Sequence, residues 1–567
     1  MPRGRSTRWW SGHSAKGRCH GRRIRSGSPS APVIWRAIAS GYGAKVDEFL
    51  TWYFSRNPIS ATLLGAEGHS HTLGDYSAEG LTAYEREQAG WLERLTAVEG
   101  GTLDDQIDRG LVMSQLRGDL ALASWPWWRR DPTAYLGGIF SSLFVPFQRA
   151  LQPQAVLVDA AVAQLAEIPA VLAACRTNLD PELAADLYIK RALGQARTGR
   201  GLVTSTIPAM ITSDDQRARF LKAAEPAADA FDSFVAFLEG FEARGTWRMG
   251  EKLYSTLLLE KEMLGYGAAE LHAKGREQVA LLDGEMREVS RRYNGSPDWH
   301  AALNALADDH PPTLEAMRAE YDAETQRARA WVRANDLVTF AEGEECHVLP
   351  SAEYNRPILA VAHYVSPPPL TSSRAGYFFV PYTPDGFTPE QVRQRLRTNA
   401  RAMMPSVAVH EAYPGHHWHL SYMAGNPRTV RKVFRTPYFT EGWALYVEKM
   451  AHEHGYFDTA ATELGYLDAR IFRAARIVVD TALHCEDMSV EEAESYMLAH
   501  SGLTEETAKG EVNRYCAWPT QAPSYLTGAL EIERIRGAFN GSLKDFHDRI
   551  AGSGGLPLGL AEQAALA

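Results

Sequence analysis

The chain lacks paired cysteines. Its five, Cys19, Cys175, Cys346, Cys485 and Cys516, lie far apart and form no CxxC pair. That argues against a disulfide framework or a thiolate zinc site and fits a reducing compartment. The chain also lacks an uninterrupted run of about eighteen apolar residues, so no membrane span is expected. It has no basic stripe through its body, and a net charge of -10 with a pI near 6.0 argues against nucleic acid as the main partner. Residues 1–30 hold Arg3, Arg5, Arg8, Lys16, Arg18, Arg22, Arg23 and Arg25 with no acid. No apolar stretch of adequate length follows them, so a secretory signal is not expected. These absences predict a cytoplasmic protein with a basic, disordered tail over residues 1–40. No short-period repeat points to a solenoid, and no low-complexity linker divides residues 41–567. They read as a single helical domain, divisible into lobes of about 41–340 and 341–567. The oligomeric state is not written in these patterns.

What is present beyond residue 40 is helical periodicity. Segments 78–98, 103–123, 155–177, 215–244, 267–292 and 459–484 are rich in Ala, Leu, Glu and Arg, with apolar residues three and four apart. One region reads differently. Residues 346–382 contain CHVLP, ILAVAHYV and AGYFFVPY, short β-branched and aromatic runs bounded by proline and glycine, and they predict strands. Thr388-Pro389-Glu390-Gln391 then gives a helix start with a capping box. A helix is expected over about 406–423, another from about Thr440 to Gly455, and others opening at Ser489 and Thr504. The fold class is therefore mainly α, with a small β-sheet just before the most informative motif.

That motif is VAVHEAYPGHHWHL at 407–420, with four histidines within ten residues. In the HExxH arrangement, two histidines four apart on one helix face bind a zinc ion, and the glutamate between them acts on the metal-bound water. Here position 414 is proline, so the simple spacing fails. A bulge at Pro414-Gly415, of the π type found at functional sites, would bring His416 beside His410. An undistorted helix would align His417 with His410 instead, but two turns rise about 10.5 Å, too far for one zinc. The bulge thus favours His416, with His417 the alternative ligand or a substrate contact. The third ligand is sought on the next helix, in FTEGWALYVEKM at 439–450. There Glu441 is assigned to the metal, and Glu448, two turns on, to orienting a ligand histidine through its second ring nitrogen. Glu411 is the candidate general base. A histidine-rich surface helix would not explain the Pro-Gly pair, which costs about 3 kcal/mol or more in mid-helix.

The motifs HEAYPGHH, TEGWALYVEKM, DTALH at 480–484 and EVNRYCAWPTQAPSYLTG at 511–528 occur in that order. In this set the sequence resembles the bacterial family labelled domain of unknown function 885. The resemblance spans most of the C-terminal half, and the N-terminal half matches only in helical character. The family in turn resembles the gluzincin metallopeptidases, especially helical oligopeptidases and carboxypeptidases, in which two histidines and a glutamate from the following helix bind zinc. The separation of His416 and Glu441 is similar to theirs, while the two-residue insertion departs from them. The resemblance implies a zincin-like helical body with a deep cleft, one zinc ion per chain, and short peptides or amides as substrates. It also implies a downstream tyrosine that donates to the developing oxyanion, Tyr525 first and Tyr515 second. An edge strand beside the metal would line the substrate, and His363-Tyr364 and Tyr377 sit on the predicted strands. Arg514 could clamp a substrate carboxylate, Gln521 could contact substrate, and Asp480 with His484 could form a supporting pair beside the metal. The leading expectation is zinc-dependent hydrolysis of short peptides by metal-activated water. The alternatives are a metal-dependent hydrolase or lyase acting on a non-peptide amide or amino-acid conjugate, and a non-catalytic helical scaffold.

Overall fold

In the computed structural model, residues 41–351, 356 and 361–567 are described; the basic stretch 1–40 and the start of ILAVAHYV lie outside them. The described chain is mainly α-helical with one three-stranded sheet, and Gly41–Ala567 forms one compact unit. Two large apolar cores and one small cluster are found among its described residues. The smaller of the two large cores joins helices between Leu73 and Leu238. Among them are α1 (Gln154–Asn178) and α2 (Asp214–Glu239), which pack on each other. By length and composition α1 could cross a membrane, contrary to the reading of the sequence. It packs instead on neighbouring helices, burying Leu165, Ile168 and Leu172 in this core.

The larger core joins the first helices, from Val46 to Leu116, to the segments from Met249 to Ala565. Its helices used below are α3 (Ala268–Asn294), α4 (Leu314–Ala334), α5 (Met404–Glu411), α6 (His416–Met423), α7 (Pro437–Glu453), α8 (Ala460–Cys485), α9 (Glu505–Ala517) and α10 (Ser524–Ala538). α3 lies along α8, and α7 along α10. The α7–α10 contact is made main chain to main chain: a Cβ on Gly442 would stand 2.5 Å from Gly528 Cα, and one on Gly528 1.8 Å from the Tyr438 carbonyl oxygen. Only glycine permits that approach, and it fixes what lies on either side, Glu441 on α7 and Tyr525 on α10.

The sheet comprises β1 (Glu345–Pro350), β2 (His363–Val365) and β3 (Ala375–Val380), in the order β1-β3-β2. β1 runs parallel to β3 with Val348 opposite Phe378, and β2 antiparallel with Tyr364 opposite Phe378. Alternation buries Phe378 against Tyr321 of α4, ring centroids 5.5 Å apart. It turns Tyr377 to the other face, where it stacks on His347 and Phe379. The sheet lies beside α6.

Candidate metal centre

The expected helix over 406–423 is two helices. A single wide turn, Tyr413 N–H to Ala408 O at 3.3 Å, closes α5, and the chain restarts at His416 with Trp418 N–H on Ala412 O at 3.1 Å. This is a break, not a bulge within one helix. Proline 414 has no N–H to continue the ladder. Gly415 passes so close to α5 that a Cβ there would stand 1.9 Å from the His410 carbonyl oxygen. From the far side, the buried Trp443 of α7 donates its indole N–H to Pro414 O at 2.9 Å. The broken segment is thus tied to the helix that carries Glu441.

The break brings His410, His416 and Glu441 together, with one ligand atom from each within 4.8 Å of the others. Glu441 Oε2 lies 3.3 Å from His416 Nε2 and 3.7 Å from His410 Nε2. The two imidazole planes cross at 85°. Ligands about 2.0–2.2 Å from a tetrahedral metal stand about 3.3–3.6 Å apart, so both imidazoles stand at nearly the required spacing from Glu441. His410 Nδ1 donates to Glu448 at 2.7 Å, and Ser406, one turn before His410, donates to the other Glu448 oxygen. That bond fixes the ring so that Nε2 faces Glu441. Two imidazoles and a carboxylate suit zinc, with a fourth position left for water. His416 Nδ1 is buried without a partner.

The electrostatics follow from burial and crowding. Burial disfavours charge on His410, but Glu441 and Glu448 outweigh it and push its pKa up to about 9. Burial raises Glu441 too, yet the imidazoles of His416 and His410 hold it well below the usual carboxylate range. Glu411 is buried beside the triad; burial raises its carboxyl, opposed by the charges of His410 and His416.

His417 turns the other way, which corrects its reading as a metal ligand or substrate contact. It is fully buried, with Nε2 2.9 Å from Glu344 and Nδ1 3.0 Å from the Tyr364 hydroxyl. Tyr413 donates to the same Glu344 oxygen at 2.6 Å, and Arg329 pairs with the other. Both ring nitrogens are therefore occupied. Tyr377 faces away from α6, so the substrate-lining expectation fails there. The strand tyrosine near the metal ligands is Tyr364, whose ring centroid lies 6.5 Å from that of His416.

Tyr525 lies beside the triad, its ring centroid 6.4 Å from that of His410 and the two planes 17° apart. Burial raises its hydroxyl pKa, helped by the Glu441 carboxylate. Tyr515 does not reach the triad: its hydroxyl donates to Glu511 at 2.7 Å and accepts from Arg476 at 3.0 Å. Arg514 is committed to Glu511 at 2.8 Å and to the Gln521 side chain, so it is not a free clamp. Gln521 in turn bonds Tyr525. Asp480 and His484 do not pair with each other. Asp480 accepts from Tyr254 and from Thr520 N–H, while His484 engages Met249 N–H and Tyr515 O. They clip α8 to neighbouring segments away from the metal ligands. Arg473 of α8 was missed by the sequence reading. It lies 5.7 Å from the centroid of the Tyr525 ring, and its charge acts on Glu411. The signal was present in the three-residue spacing of Arg470, Arg473 and Arg476 along an otherwise apolar helix face.

A family model described as bacterial protein of unknown function (DUF885) matches residues 58–564. Two solved structures share the fold. One, from Shewanella oneidensis, is described as a candidate lipoprotein of unknown function; at 21% identity and a TM-score of 0.77, the match covers 93% of this chain and 99% of that one. The other, a candidate lipoprotein from Colwellia psychrerythraea, has 18% identity and a TM-score of 0.78, covering 93% of this chain and 98% of that one. No curated protein matches.

Proposed function

This chain belongs to the DUF885 family, and from that premise we propose that it is a zinc-dependent hydrolase of short peptides. The observation that carries the reading is the convergence of His410, His416 and Glu441 onto a space of metal-site dimensions, with His410 braced by Glu448. The similarity of this ligand set to that of the gluzincin metallopeptidases supports it. When bound, zinc would supply a Lewis acid that polarises an amide carbonyl and acidifies a water. Glu411, buried and raised by its surroundings, takes the proton of the attacking water and returns it to the leaving nitrogen. Tyr525 donates its hydroxyl to the carbonyl oxygen as charge develops there. Gln521, held by Arg514, orients that hydroxyl.

The lipoprotein description of both solved relatives favours action at the cell envelope over the cytoplasmic location that composition suggests. The reading is tested by metal analysis of the purified protein, joined to digestion of dipeptides, blocked peptides and amino-acid conjugates. Near-stoichiometric zinc and cleavage of short peptides are expected. Glu411→Gln should keep the metal and lose about 10²–10⁴-fold in turnover. A metal-free protein that cannot be loaded would leave a helical scaffold, and cleavage of conjugates alone would move the substrate class.

A further inference from the structure

We propose that Arg473 is the anchor for a substrate carboxylate, so that this centre acts on peptides with a free carboxyl terminus; the proposal rests on the hydrolase reading above. The argument begins with three arginines at three-residue spacing on α8. The outer two have acidic partners: Arg470 pairs with Glu533 at 2.8 Å, and Arg476 with Glu511 at 2.7 Å. Arg514, nearby on α9, shares Glu511 at 2.8 Å. Arg473 has none. Its Nη1 donates to the Ala469 carbonyl of its own helix at 2.9 Å, its Nε is buried without a partner, and no carboxylate among the described residues forms an ion pair with it.

Arg473 is only half-buried, so water screens part of its charge, but its buried Nε is left unsatisfied unless something else supplies an acceptor. The place of this one says what would. Tyr525 is near both it and His410, with Arg473 5.7 Å and the His410 ring centroid 6.4 Å from the Tyr525 ring centroid; Arg476, already paired, stands 4.7 Å from the same ring. Its charge also acts on Glu411. It therefore stands beside the proposed oxyanion donor, with its charge felt at the proposed base and at Asp468. Arg435, just before α7, is a second cation without an ion-pair partner among the described residues, and its charge acts on Glu441. These two cations lie on the carboxylate-lined centre with no ion-pair partner among the described residues, and a substrate carboxylate would supply one. The planar fork of a guanidinium matches a carboxylate. An amide to be cut at the metal with a carboxylate within reach of Arg473 describes a short peptide cleaved near its carboxyl end.

The test compares short peptides that differ only in ending as a free acid or a carboxamide. On the zinc-loaded protein, kcat/KM should favour the acid by about 10- to 100-fold, the range for a hydrogen bond to a charged group. Arg473→Gln should reduce that preference to near unity, and Arg473→Lys should keep part of it. Because Arg473 holds no structural carboxylate, the thermal midpoint of Arg473→Gln should match or exceed that of the wild type. Calorimetry of the same peptides on metal-stripped protein gives a readout independent of turnover, and tighter, Arg473-dependent binding of the acid supports the anchor even there. Equal handling of acid and amide by the wild type, with peptides still cleaved, overturns this inference and leaves the hydrolase reading intact. Absence of zinc and of any cleavage sinks that reading instead, and the calorimetry then decides the anchor by itself.

Discussion

His416 and His417 are neighbours in sequence on the first turn of one helix, and the structure gives them opposite circumstances. On one side of α6, His416 meets Glu441 and His410 in a space with unfilled valence. On the other, His417 meets Glu344 and Tyr364, which occupy both of its nitrogens. The difference teaches that an imidazole's chemistry is set by how completely its surroundings satisfy it. A saturated histidine holds structure together; one with a free nitrogen facing a carboxylate and a second imidazole is available to a metal.

The comparison can be broken most directly by removing each ring in turn. His416→Ala should abolish stoichiometric zinc, and activity with it, while the fold survives. His417→Ala should keep the metal but lower unfolding free energy by about 1–3 kcal/mol for each buried partner left unpaired. Metal analysis and urea denaturation on both variants give the answer, and the reverse pattern would exchange the roles assigned here. Gly415→Ala, whose Cβ would strike the His410 carbonyl oxygen, should cost about 3 kcal/mol or more. By displacing His416 it should weaken zinc binding as well, visible in the same measurements. Glu448→Gln leaves both sides folded and should lower zinc affinity about 10- to 100-fold by loosening His410, as read by competition with a chelator.

The smallest effect concerns acid. Burial works to raise the Glu344 carboxyl, but bonds from His417, Tyr413 and Arg329 hold it below its ordinary value. Its folded pKa is thus depressed, so the unfolded chain binds the extra proton. The stability it contributes is present above about pH 4.5 and is lost as pH falls toward the folded pKa. Glu344→Gln should therefore flatten the decline in urea midpoint below about pH 4.5. An unchanged slope would place the acid sensitivity elsewhere.

Much of the architecture was legible because it depends on neighbours in sequence. The Thr388–Gln391 and Ser489–Glu492 capping boxes form as residue order implies, and the β-branched runs that lie among the described residues become strands. At the centre, spacing along the chain was enough to single out Glu441 and to weigh His416 against His417. It did not reveal that Pro414-Gly415 would break the helix outright, because that rests on the grip of Trp443 from α7. Nor could it show that His417 is claimed by Glu344, which lies 73 residues earlier. Arg514 looked free and Arg473 was overlooked for the same reason. Which guanidinium keeps a counter-ion depends on where Glu511 and Glu533 come to lie, a long-range fact that helical periodicity does not carry.

The touching backbones of Gly442 and Gly528 bear on how rigid the proposed site would be. Helices separated by side chains can slide a little as rotamers rearrange, whereas helices in main-chain contact have no such cushion. Glu441 and Tyr525 therefore form a stiff jaw whose spacing is the same whatever enters. Tyr364, carried on the short strand β2 with its ring centroid 6.5 Å from that of His416, lies outside that contact.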